Sequence, residues 1–135
     1  MAQPTIKKGS SGPAVKLAQK RLVMRGYDPG PIDGLFGAKT EKAVKYYQYD
    51  RGLTVDGIIG PQTWARLDPP TIKKGSTGDA VKLAQQLLTA YGYNPGPIDG
   101  DFGVNTDNAV KQFQTDYGLV VDGIVGPKTW AMLGS

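Results

Sequence analysis

The chain has 135 residues, sixteen Lys and Arg against twelve Asp and Glu, and neither His nor Cys. That composition excludes disulfide staples, thiol nucleophiles and Cys/His zinc sites. No stretch is long and apolar enough to span a membrane; no signal peptide is visible, and Met1-Ala2 and Gly134-Ser135 read as appended ends, which leaves the removal of a targeting segment open.

Thr5-Ile6-Lys7-Lys8-Gly9 reads as a short extended lead. Ser11 is the expected N-cap of a first helix, with Gly12 and Pro13 in its first turn, where a missing amide donor costs nothing. Val15, Ala18 and Leu22 form one apolar stripe, with Leu17 and Val23 at its edges. Gly26 ends that helix as a left-handed cap and Tyr27 folds back. Asp28-Pro29-Gly30-Pro31 is a rigid turn, and Ile32-Asp33-Gly34-Leu35-Phe36-Gly37 carries one aromatic inward before a second helix opens near Ala38. Ala43, Val44 and Tyr47 face inward on that helix, which runs to about Asp50 and is stopped by Gly52. Val55-Asp56-Gly57-Ile58-Ile59-Gly60-Pro61 repeats the turn logic, and Pro61 opens a short third helix with Trp64 and Leu67.

Every feature then returns 66 residues later. Residues 4–67 align with 70–133 without a gap, and 43 of the 64 pairs are identical. The repeat overrides the single domain that length alone suggests. The expected fold is all-α: two tandem three-helix bundles with turn-rich connections, joined by the two-residue linker 68–69, which Pro69-Pro70 stiffens. Each repeat is near the lower size limit for independent folding, so Phe36, Trp64 and their copies Phe102 and Trp130 are expected in the cores. Charge is shared unequally. Repeat 1 has eleven basic and five acidic residues, and repeat 2 has five and six. A basic half favours an anionic partner, although a solubilising surface that drifted after duplication explains the excess equally well.

Catalysis has little to draw on. Glycoside hydrolysis needs two carboxylates, and the recurring acids are Asp33, Asp56 and, less regularly placed, Asp50, with Asp99, Asp122 and Asp116 in repeat 2. Asp33, Asp56 and their copies each precede Gly in a turn, where an Asx-type role that satisfies local amides is the expectation. Gln19 and Gln48, with Gln85 and Gln114 in repeat 2, are polar yet stand beside buried positions; they either close turns by bonding backbone groups or line a groove. Lys42, Tyr46 and Tyr49 lie at i, i+4 and i+7 on the second helix, where repeat 2 has Asn108, Gln112 and Thr115. Positions that accept Asn, Gln or Thr are expected to be exposed, so the two tyrosines are either surface aromatics suited to sugar stacking or exposed residues without a role.

Taken together, Gly12, Val15, Gln19, Leu22, Gly26, Tyr27, Asp33-Gly34, Phe36-Gly37, Thr40, Ala43-Val44, Gln48, Gly52-Leu53, Val55-Asp56-Gly57, Gly60-Pro61, Thr63-Trp64 and Leu67 closely resemble the peptidoglycan-binding domain family of bacterial wall hydrolases. The resemblance covers nearly the whole chain, twice. Departures are Ala18 and Ala84 where that family has Leu, Arg25 and Tyr91 where a Leu is common, and Tyr47 in place of the Phe that Phe113 keeps. The resemblance implies a monomer outside the cell, at the wall or in the periplasm. It would bind peptidoglycan through glycan or stem peptide without cleaving it and tether a fused catalytic domain or a wall assembly. No metal, cofactor, nucleic-acid partner or membrane insertion is expected. The alternative is a structural or protein-docking use of the same fold.

Overall fold

The computed structural model describes residues 3–134, and the expectation for Met1-Ala2 and Ser135 lies outside them. Six helices follow in chain order: α1 (Pro13–Met24), α2 (Ala38–Asp50), α3 (Pro61–Arg66), α4 (Asp79–Ala90), α5 (Val104–Asp116) and α6 (Pro127–Leu133). The chain divides into two compact units between Asp68 and Pro69, with three helices in each. Among the described residues the extended segments form single backbone bridges and no strand.

In the first unit α1 buries Val15, Ala18 and Leu22, and α2 buries Ala43, Val44 and Tyr47. Phe36, Trp64 and Leu67 complete the expected core. Leu17 packs against the core beside Ala18, and its copy Leu83 is buried. Ile6 and Ile59 are core residues that the sequence reading did not single out. They meet because the lead segment pairs with the second turn: the Ile6 amide donates to Ile59 O (3.1 Å) and the Ile59 amide to Ile6 O (2.8 Å). The Trp64 indole N–H donates to Pro4 O (2.9 Å), so the lead is part of the fold from its first residues. The second unit repeats this with Ile72, Val125 and the Trp130 indole on Pro70 O (2.8 Å).

The helix ends follow from glycine placement. Gly26 has φ 90°. Its amide donates to Val23 O (3.0 Å) and the Tyr27 amide to Leu22 O (2.9 Å), the pair of bonds that closes a Schellman motif. Helix starts differ from expectation in one respect. Gly12 and Gly78, not Ser11 and Thr77, are the N-caps of α1 and α4, and neither helix has a side-chain cap bond. The reason is the neighbouring turn. Ser11 bridges to Leu35 and Thr77 to Asp101. The Gly12 amide donates to Gly34 O (2.9 Å). That pairing holds the segment extended and sets Gly12 at φ 119°, a conformation that costs glycine little.

Candidate functional site

Each unit contains the same polar cluster twice, and each cluster is centred on a helix glutamine with essentially no exposed surface. Gln19 Nε2 donates to Asp33 Oδ1 (3.2 Å), Leu35 O (3.0 Å) and Thr40 Oγ1 (3.1 Å), while Gln19 Oε1 accepts from the Gly34 amide (2.9 Å). Asp33 Oδ1 also accepts from the Leu35 amide (2.9 Å), which makes an Asx turn. Gln48 reproduces this arrangement with Asp56 Oδ1 (3.0 Å), Ile58 O (2.9 Å), Thr63 Oγ1 (3.1 Å) and the Gly57 amide (3.0 Å). In the second unit Gln85 serves the Asp99 turn and Gln114 the Asp122 turn. All four glutamines close turns, and Gln48 does so while also lining a groove.

In three of these turns the hydrogen bonds favour ionised carboxylates. Those of Asp33, Asp99 and Asp122 lie below the ordinary carboxylate range, first because the amide two residues on donates to each, with the glutamine side chain adding to the effect. An acid in such a setting accepts hydrogen bonds readily and is a poor general acid, which needs the opposite shift.

Beside the second cluster lies an open groove of ≈ 340 Å³ lined by Leu53, Thr54, Asp56, Ile58, Pro61 and Gln62, with Gln48 and Thr63 also reaching it. The second unit has its counterpart, ≈ 520 Å³, lined by Leu119, Val120, Asp122, Ile124, Pro127 and Lys128. Residue for residue these are the same place in the two repeats, and each combines an apolar lining with one exposed carboxylate. A further groove, ≈ 410 Å³, is lined by Lys42, Lys45, Tyr46, Tyr49 and Val55.

The candidates therefore separate into three groups. Gln19, Gln85, Asp33 and Asp99 sit in the first turn of each unit, with their amides and Oδ1 atoms committed to it. Gln48, Gln114, Asp56 and Asp122 build the second turn, whose outer side forms a groove in both units. Lys42, Tyr46 and Tyr49 are exposed on α2. Sequence reasoning missed Thr54, Ile58, Pro61 and Gln62 as lining. Their signal was their nearness to Asp56, together with the unchanged recurrence of Ile58 and Pro61 as Ile124 and Pro127 and the polar exchange of Gln62 for Lys128.

The family model described as "Putative peptidoglycan binding domain" matches residues 11–67 and again 77–133. The chain belongs to this family. Both peptidoglycan-binding repeats are matched from just before their first helix to their last core leucine. Similar curated proteins include the N-acetylmuramoyl-L-alanine amidase CwlM of Mycobacterium tuberculosis, 39% identical over 106 residues, covering 70% of this chain and 26% of the relative. A probable N-acetylmuramoyl-L-alanine amidase of Bacillus licheniformis is 39% identical over 155 residues, covering 95% of this chain and 44% of the relative. The chain thus spans less than half the length of these relatives. Among solved structures, a peptidoglycan-binding protein from Clostridioides difficile, in complex with glutamine hydroxamate, is 54% identical with a TM-score of 0.47, covering 48% of this chain and 40% of that one. Peptidoglycan binding is the function that membership carries to both repeats.

Proposed function

We propose that the two repeats hold peptidoglycan without cleaving it, through the groove beside Asp56 in repeat 1 and beside Asp122 in repeat 2. In this reading the chain acts outside the cell as a monomeric anchor for a wall hydrolase or a wall-associated assembly. The observation that carries it is the recurrence of one amphipathic groove, built on one turn, in both family repeats. The carboxylate accepts bonds from ligand N–H or O–H groups, and Leu53, Ile58 and Pro61 offer apolar surface to the sugar C–H faces or stem-peptide methyls. A non-catalytic role is supported by the chemistry of the acids, since the turns of Asp33, Asp99 and Asp122 favour ionised carboxylates where glycoside hydrolysis requires a protonated partner.

The test is retention on purified sacculi together with the release of soluble fragments. Retention by the wild type, with release no greater than from a heat-killed control, is expected. Ile58→Glu combined with Ile124→Glu should abolish most retention while the helical circular dichroism is kept. Full retention by that variant would remove the groove as the site, and fragment release abolished by Asp33→Asn or Asp99→Asn would overturn the non-catalytic reading.

A further inference from the structure

Helix α2 carries a second face that the shared groove does not use. Its buried side is Ala43, Val44 and Tyr47. Tyr46 and Tyr49, at 57% and 76% exposure, stand on the opposite side. Side chains three residues apart on a helix are neighbours, so the two rings are placed to serve one ligand. Lys42 Nζ lies 5.9 Å from the Tyr46 ring centroid, and Lys45 reaches back to Glu41 at 3.8 Å. Val55 closes the groove between these residues. Its chain neighbours Thr54 and Asp56 line the shared groove, so the two grooves adjoin at this residue. At the corresponding positions repeat 2 has Asn108, Gln112 and Thr115.

We propose that Lys42, Tyr46 and Tyr49 form an additional glycan-contact face specific to repeat 1. A pyranose ring of the wall glycan stacks on the tyrosines, and a carboxylate of the attached stem peptide meets Lys42. This rests on the reading of the chain as a peptidoglycan binder. The sugar is specified by chemistry: a β-linked N-acetylhexosamine presents flat C–H faces that cover an aromatic ring, as the negative face of the ring attracts polarised C–H groups and cations alike. The charge is specified by balance. Repeat 1 has eleven basic and five acidic residues where repeat 2 has five and six, so an anionic strand is drawn to the first.

The experiment uses the full chain, as wild type, Tyr46→Gln/Tyr49→Thr and Lys42→Asn. The probes are soluble glycan strands with stem peptides, the same strands stripped of them, and phosphatidylglycerol vesicles. The double variant should bind both strands about tenfold more weakly, or about 1.4 kcal/mol, at low and high salt. Lys42→Asn should weaken binding only to strands with stems, and only at low salt, because screening shortens the reach of its charge to ~8 Å at physiological ionic strength. Unchanged strand affinity in both variants, with the wild type still bound, overturns the face and leaves the wall-binding reading standing. No binding of any strand by the wild type removes both. Vesicle binding that depends on the tyrosines, with strand binding that does not, overturns the face in favour of a lipid surface. If the double variant melts lower, ring-current shifts of sugar protons on wild-type binding decide between stacking and its absence.

Discussion

Gln19 shows how much a single buried side chain organises. One amide group closes the Asp33-Gly34 turn, ties it to α2 through Thr40 and leaves no exposed surface. Replacing it with Leu fills a similar volume but strips the buried Gly34 amide of its acceptor, and an orphaned buried donor costs about 1–3 kcal/mol. Gln19→Leu is therefore expected to lower the stability of repeat 1 by about 2–3 kcal/mol in urea melts, and a loss under about 0.5 kcal/mol would show that the turn holds without it. The turn carboxylates add a dependence on pH. Asp33, Asp99 and Asp122 have folded pKa values depressed below 3.8, and unfolding releases them. The unfolded chain thus binds protons first as pH falls. Their contribution is present above the unfolded value and is lost as pH drops through the folded ones. Melting temperature should fall steeply below about pH 4, and more gently in the variant with Asn at all three positions. Identical profiles would mean that other groups govern acid unfolding.

At the scale of elements the glycines of the turns decide whether helices can pack. Gly26 and Gly34 both have positive φ, but only at Gly34 would a Cβ meet backbone, with Gly12 O at 3.2 Å. Gly26→Ala should cost about 1–2 kcal/mol from the left-handed backbone alone. Gly34→Ala should cost more, because the Ser11–Leu35 bridge would have to give, and equal losses in thermal melts would refute that packing term. Most of this level was legible in sequence. The bounds of α2 and the start of α3 follow from Gly-flanked turns and Pro61, and the six-helix count follows from the repeat. What was not legible came from pairing between distant segments. Ser11 has the chemistry of a cap, yet its bridge to Leu35 moves the N-cap to Gly12. Ile6 lies in a segment too short to show a period, and only its bridge to Ile59 makes it core. The departures also come in sets. Tyr47 donates its hydroxyl to Arg66 O (2.6 Å) under Arg51, whereas Phe113, with no hydroxyl, stacks on Tyr117 at 4.3 Å. One exchange is matched by the other, so neither core loses its fill.

For the whole molecule the duplication has a consequence that no single repeat predicts. Both repeats keep the groove, the clusters and the core, while their charge diverges from eleven basic residues to five. Had one copy become a mere spacer, its groove lining would have been free to change. Instead Leu53, Asp56, Ile58, Pro61 and Thr63 recur unchanged as Leu119, Asp122, Ile124, Pro127 and Thr129, and the exchanges at Thr54 and Gln62 leave the groove open. Two sites of the kind proposed, engaging one polymer, make the second contact intramolecular, with an effective concentration near mM for a short linker. The whole chain should therefore bind sacculi at least about 100-fold more tightly than residues 1–68 or 69–135 alone. Of the halves, 1–68 should be the tighter at low salt and should keep only the stacking part of that lead as salt is raised, because the rest of its excess is electrostatic. Each half must first show helical circular dichroism and a cooperative melt, so that weak binding is not mistaken for unfolding. If the whole chain then binds no better than the two halves added together, the two sites do not engage one strand, and avidity is not what the second copy contributes.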